Sequence, residues 1–274
     1  MNSKETFTLS SILNSSELKE CTYELPVILG KTTATNEIVI KDLTELGHVL
    51  VGGVSSQGKT SVLHGMITSL LCTKQPTELR LVLIDPKHCE FDKYASVAKD
   101  FLAEIPGVFN QILTDCAEAT LALKRLCYVM DQRYKELKTA GVRDILEYNS
   151  KYMCGDLSKE QVHNFMPYMV IVVDEFGDLI IENGKIAEAP IVQLASVGKR
   201  VGIHLIISTQ RIIHNVLTGI IKANFPTRMA FRVATAYESR MIIDISDAAE
   251  LNETGILIFN SGNETKRIQG VFVE

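Results

Sequence analysis

Eight residues in the first quarter of the chain restrict its fold more than any other feature. Gly53-Val54-Ser55-Ser56-Gln57-Gly58-Lys59-Thr60 matches G-x-x-x-x-G-K-[ST], with the apolar run Val49-Leu50-Val51 before it. A helical pattern from Lys59 to Cys72 follows and stops near Pro76. Strand, glycine turn and helix N-terminus in that order make an anion cradle: the glycines let successive N–H groups face one point, and the helix end adds partial positive charge. The spacing implies that Gly53, Val54, Ser55, Ser56, Gln57, Gly58, Lys59, Thr60 and Ser61 cradle a polyphosphate such as that of ATP. Lys59 then reaches the outer phosphates, and the Thr60 hydroxyl ligates magnesium, Mg2+.

Three more β-branched runs, Leu79 to Ile84, Met169 to Val173 and His204 to Ser208, lack the apolar/polar alternation of a half-exposed strand. They predict buried parallel strands. Between the first two lies an amphipathic stretch, Thr114 to Thr139, with Leu121, Leu126, Val129 and Leu137 at helical spacing. Strands alternating with helices predict an α/β fold with a mainly parallel central sheet flanked by helices. Pro26 to Gly30 and Glu37 to Ile40 predict a hairpin leading into it. Arg228 to Val233, Gly255 to Asn260 and Arg267 to Val273 are β-like and separated by short turns such as Ser261-Gly262-Asn263, which predicts an antiparallel C-terminal extension. Residues 1–24 are polar apart from a patch around Leu9 to Leu13 and are expected to be a flexible or weakly helical lead-in outside the core. Residues 25–274 are expected to form one domain.

The run Met169 to Val173 ends in Asp174-Glu175. Carboxylates at the carboxyl end of a sheet strand sit where open α/β folds bind ligands. Asp174 is expected to hold the magnesium, and Glu175 to polarise an attacking water as general base. Asp178 is expected to cap the helix that follows. The run His204 to Ser208 leads into Thr209-Gln210-Arg211, where the Gln210 amide can hydrogen-bond the attacking water or the terminal phosphate.

Composition excludes several classes. No apolar run is long enough to cross a bilayer and no secretory leader is visible, so the expected location is cytoplasmic with no membrane insertion by this chain. Six scattered cysteines without a CxxC pair argue against a zinc site or a disulfide framework. A net charge of −5 argues against a protein that coats nucleic acid, though not against a ring that is cationic only along its pore.

Several segments, in order, resemble the motor domains of the FtsK/SpoIIIE family. They are Leu25 to Lys31, the glycine loop, Ile84-Asp85-Pro86-Lys87, Met130-Asp131-Gln132-Arg133-Tyr134, Asp174 to Leu179, Gly202-Ile203-His204-Leu205, Thr209-Gln210-Arg211 and Thr218 to Arg228. The resemblance runs from about residue 25 to the C-terminus. It implies a RecA-like P-loop NTPase fold, a homo-oligomeric (hexameric) ring, and ATP-driven movement along double-stranded DNA. It also implies an arginine supplied by a neighbouring subunit to the terminal phosphate. The family's arginine falls on Lys199, and Arg200 beside it is the candidate for that role, since a lysine lacks the planar fork. Arg228 and Arg240 also match family arginines.

Gln210-Arg211-Ile212 departs from the family's Gln-Arg-Pro, and its Gly-x-Gly-Asp is reduced to Thr254-Gly255-Ile256. The family's membrane helices, capping subdomain and winged-helix domain have no counterpart in these residues. The implied protein is a stand-alone or mobile-element motor working through a separate anchoring or DNA-targeting partner. A coupling ATPase of a conjugation or protein-secretion system, and a partner-dependent paralogue that is not a motor, are the alternative readings.

Overall fold

The computed structural model describes residues 15–87, 90–157, 163–262 and 264–272. Short β-branched runs become strands, in chain order β1 Pro26–Thr32, β2 Ile38–Asp42, β3 Val49–Gly52, β4 Leu79–Ile84, β5 Ile112–Leu113, β6 Tyr168–Val173, β7 Ile203–Thr209, β8 Thr227–Phe231, β9 Ile256–Asn260 and β10 Thr265–Gly270. Two compact units emerge. The first comprises the described residues through Lys74, Asp174–Gly177 and those from Ile207 onward; the second comprises Gln75–Val173 and Asp178–Ile206.

In the first unit the strand order is β2-β1-β10-β9-β8-β3, followed by the last residues of β7. β1 and β2 form the expected antiparallel hairpin, with a register shift between Ile28 and Gly30. β10 pairs antiparallel with both β1 and β9. β8 joins the two parts of the sheet: it pairs antiparallel with β9, as expected of the extension, and parallel with β3, from Val49 opposite Thr227 to Gly52 opposite Ala230. A six-residue helix, Gly219–Asn224, capped by the Thr218 hydroxyl, returns the chain before β8 and makes the parallel pairing attainable. The antiparallel extension therefore runs β8-β9-β10, and Asn263 and Val273 of the expected tail lie outside the described residues.

The helix Lys59–Thr73 packs against β1 and ends where Lys74 turns extended ahead of Pro76. Part of the expected lead-in belongs to the core, contrary to the sequence expectation. Helix Ser16–Lys19 is capped by Ser15, and its Leu18 is buried against Ile28 and Val271. A single apolar side chain suffices to seat four residues. The Leu9 to Leu13 patch lies outside the described residues.

In the second unit β4 pairs parallel with β6, in register from Leu79 opposite Tyr168 to Ile84 opposite Val173. The two-residue β5 pairs parallel with the end of β4. Val170 to Val173 are fully buried, which accounts for their unbroken apolar run. The long helix occupies Cys116–Ala140. The Asp115 carboxylate accepts from the Glu118 N–H at its start, and Gly141 stands in the left-handed conformation at its end. Its buried stripe is Leu123, Leu126, Cys127, Met130 and Leu137, packed on helix Lys185–Val197, whereas Leu121, expected on that stripe, faces solvent. Among the described residues, no helix is long and apolar enough to cross a membrane.

Candidate nucleotide-binding site

β3 delivers the chain into the glycine loop of the first unit. Gly53 has φ +149° and Gly58 has φ +110°. A Cβ on Gly53 would stand 2.7 Å from the Cβ of Phe231. One on Gly58 would stand 3.0 Å from the Phe231 ring and 3.3 Å from the Gly255 Cα. Glycine is therefore required twice, by backbone conformation and by the close approach of the end of β8. Between them Ser56 takes φ +58°, a left-handed position rarely given to a side-chain-bearing residue.

Two backbone hydrogen bonds brace the loop: the Val54 N–H donates to the Arg232 carbonyl at 3.0 Å, and the Gly255 N–H donates to the Gln57 carbonyl at 3.0 Å. Gly255 is fixed in turn by the Gly270 N–H, which donates to its carbonyl at 2.7 Å. Lys59, buried, folds its ammonium back over the loop onto the Val54 carbonyl at 2.9 Å. Thr60 and Ser61, both half-buried, open the helix.

Asp174 and Glu175 follow β6 and are both buried in the first unit. Asp174 accepts a hydrogen bond from the Ser208 hydroxyl. Glu175 adopts φ +49°, and its Oε1 accepts from the Gln210 N–H at 3.2 Å. The Gln210 side-chain oxygen in turn accepts from the Ser55 hydroxyl. Gly177 leaves no room for a side chain either: a Cβ there would lie 2.7 Å from Thr209 Oγ1 and 2.9 Å from the Arg211 Cβ. The glycine loop, the acidic pair and the end of β7 are thus held together by hydrogen bonds running Ser55, Gln210, Glu175.

The donor set fits the implied ligands. A left-handed glycine cradle at a helix N-terminus, with a buried lysine across it, suits a polyphosphate. Thr60 and Asp174 supply hard oxygen ligands. Among the described residues no group of three or more His, Cys, Asp or Glu forms a metal cage, so a divalent cation here would share its shell with phosphate and water, as Mg2+ does.

The remaining candidates are placed elsewhere. Arg200 is an exposed residue of the second unit, in the short turn Gly198–Val201 that also carries Lys199, and its charge bears on Tyr134. Arg228 is engaged within the chain: Nε donates to the Phe225 carbonyl at 3.0 Å, a terminal nitrogen donates to the Lys222 carbonyl at 2.8 Å, and the guanidinium pairs with Asp244. Arg240 is exposed, and its carbonyl accepts from Lys222 at 3.2 Å. Asp178 lies in the first turn of helix Phe176–Asn183 and pairs with Lys87 at 3.7 Å. Three contributors escape sequence reasoning: Ser208, which orders Asp174, and Phe231 and Gly255, which wall the glycine loop. Gly255 alone leaves a trace, as the surviving glycine of a divergent motif.

The model of the FtsK/SpoIIIE family matches residues 8–213. The DNA translocase FtsK of Chlorobaculum tepidum is 41% identical over 268 residues, 97% of this chain and 32% of that protein. The DNA translocase FtsK of Sporosarcina ureae is 35% identical over 274 residues, 99% of this chain and 34% of that protein. The chain thus spans about a third of the length of these relatives. Among solved structures, the pCW3 conjugation coupling protein TcpA superposes with a TM-score of 0.75 at 24% identity, over 92% of this chain and 67% of that one. The cytoplasmic domain of the Thermomonospora curvata type VII secretion ATPase EccC superposes with a TM-score of 0.78 at 22% identity, over 97% of this chain and 32% of that one. These two share the fold. On the family match, and on relatives aligned along nearly all of its length, the chain belongs to the FtsK/SpoIIIE family.

Proposed function

We propose that this chain binds ATP with Mg2+, hydrolyses it to ADP and phosphate, and uses the cycle to drive double-stranded DNA through a homo-oligomeric, hexameric ring. The observation that carries the reading is the double engagement of Gln210, through its side chain with Ser55 of the glycine loop and through its N–H with Glu175. A residue tied to both can transmit the loss of the terminal phosphate into β7, the kind of coupling a motor needs.

In this reading the loop N–H groups from Gly53 to Ser61, apart from that of Val54, which Arg232 engages, and the Lys59 ammonium hold the phosphates. Thr60 and Asp174 hold Mg2+, which when bound neutralises charge on the phosphate oxygens. Glu175 orients a water in line with the terminal phosphoryl group and takes its proton, and Gln210 fixes that water's position. Arg200 of a neighbouring subunit is assigned to the phosphate charge. Residues 25–274 form the motor, in the cytoplasm where ATP and DNA are both available, with a separate partner for anchoring or DNA targeting. The naming of two relatives as DNA translocases supports DNA as the substrate.

Steady-state ATP hydrolysis, with and without long duplex DNA and beside Glu175→Ala, tests the proposal. Expected are DNA-stimulated turnover and its loss in the variant by about 100-fold or more. Turnover indifferent to DNA would instead support the coupling-ATPase reading, in which a protein substrate is the stimulus.

A further inference from the structure

The stretch Met130-Asp131-Gln132-Arg133-Tyr134 has no place in the nucleotide chemistry, yet its Gln132 and Arg133 line a cleft of the second unit about 480 Å3 in volume. Arg133 is 7% exposed and donates one hydrogen bond, to the Val201 carbonyl at 2.8 Å. Burial pulls its guanidinium down to about 10, with the charge of Glu136 acting the other way. Among the described residues it forms no ion pair, so four of its five N–H groups remain available. A buried cation of this kind is costly unless something polar reaches it.

A second polar group lines the same cleft. The Tyr148 hydroxyl, 1% exposed as a residue, meets His163 Nδ1 at 3.3 Å, and the two rings stand edge to face at 5.9 Å. His163 Nε2 is buried and has no hydrogen-bond partner among the described residues. The wall is fixed in place: the Asn149 side chain clamps the Met166 backbone with two hydrogen bonds, at 2.8 and 2.9 Å. Aromatic surface completes it, with Tyr128 largely exposed and Phe165 set edge-on to Tyr152. Lys135 adds a second cation to the lining and Glu136 a single carboxylate, so the cations outnumber it two to one.

We infer that this cleft is a second ligand site, distinct from the glycine loop, for a small organic anion carrying a planar ring. Its anionic group is taken by Arg133, Lys135 and the free nitrogen of His163, and its ring lies against Tyr128 and Phe165. The volume suits a ligand of nucleotide size, cations and histidine select the anion, and aromatic faces select the ring. A nucleoside monophosphate and an aromatic carboxylate share this chemistry. The inference stands whether or not the proposed hydrolysis is correct, because it uses none of those residues.

The test uses the full chain carrying Lys59→Ala, which silences the glycine loop, titrated calorimetrically with AMP, 4-hydroxybenzoate, adenosine and inorganic phosphate. The expected result is saturable binding of AMP or 4-hydroxybenzoate, whichever is the physiological class, with adenosine and phosphate at least about tenfold weaker. Adding His163→Ala or Lys135→Ala should weaken binding about tenfold while thermal unfolding is unchanged. These two are chosen because Arg133 is in the core and its replacement would disturb folding. Failure of both ring anions to saturate would overturn the inference. So would phosphate binding as tightly as the ring anions, or affinities indifferent to both substitutions.

Discussion

The Ser55 hydroxyl of the glycine loop donates to the side-chain oxygen of Gln210, 155 residues further on, while the Gln210 N–H donates to Glu175. One residue thus touches both the glycine loop and Glu175, the proposed general base. Gln210→Ala keeps the backbone bond to Glu175 and removes the side-chain link. Its expected effect is a fall in kcat of about 10- to 100-fold with a smaller change in KM for ATP, because a water-positioning group acts mainly in the transition state. The split between kcat and KM in steady-state turnover checks this; a rise in KM alone would mean that Gln210 only helps to bind the nucleotide.

Ser208 bears on Asp174, the proposed Mg2+ ligand. Its hydroxyl orders a buried Asp174 carboxylate, and partners of metal ligands typically change metal affinity about 10- to 100-fold when removed. Ser208→Ala should therefore raise the Mg2+ concentration for half-maximal turnover by about tenfold, with most of the maximal rate recovered at high Mg2+. A Mg2+ titration of the two proteins at saturating ATP decides it.

Gly255 supports the glycine loop from outside. It has φ +82°, and a Cβ there would stand 2.7 Å from the Gln269 amide nitrogen while its own N–H holds the Gln57 carbonyl. Gly255→Ala should cost about 1–2 kcal/mol of stability through the left-handed backbone and the clash. It should also weaken ATP binding, because the Gln57 peptide is released. Chemical denaturation and nucleotide titration read the two effects separately, and a loss of stability with unchanged affinity would limit Gly255 to packing.

What the sequence reveals follows from how local each constraint is. The glycine loop is legible because φ at Gly53 and Gly58, and the helix beginning at Lys59, leave a contiguous pattern. Asp174 and Glu175 are legible because a fully buried strand must read as an apolar run, so charge at its end stands out. The parallel pairing of β8 with β3 is not, since an apolar strand carries no mark of its neighbour's direction, and the helix that reverses the chain before it has only six residues. β5 is two residues long and lies below any periodic signal. Leu18 is a lone apolar side chain in a polar stretch. The bonds from Ser55 to Gln210 and from Ser208 to Asp174 join residues remote in sequence, and only the folded strands bring them together. Arg228 shows the converse: its match to a family arginine is visible in the sequence, but its engagement with Asp244 is not.

That engagement yields a pH dependence. Asp244 caps helix Ala236–Ile243 in the left-handed conformation, φ +64°, and its carboxylate pairs with both Lys222 and Arg228. Partial burial pushes its carboxyl up, but the hydrogen bond from Lys222 and the charge and hydrogen bond of Arg228 outweigh that, leaving it below its ordinary value. A carboxyl depressed in the folded state contributes stability that is fully present above the unfolded value, about 3.9. That stability is lost as pH falls from there through the folded value. Asp244→Asn removes the charge and keeps a residue that tolerates the left-handed backbone. At neutral pH the variant should unfold roughly 1–3 °C earlier, the scale of a solvent-screened pair. Below about pH 4 the gap between the two proteins should close, because wild-type Asp244 is then losing its own charge. Thermal unfolding of both across pH 3 to 8 tests the sign, and a gap that stays constant through the acid range would show that the pair contributes nothing through charge.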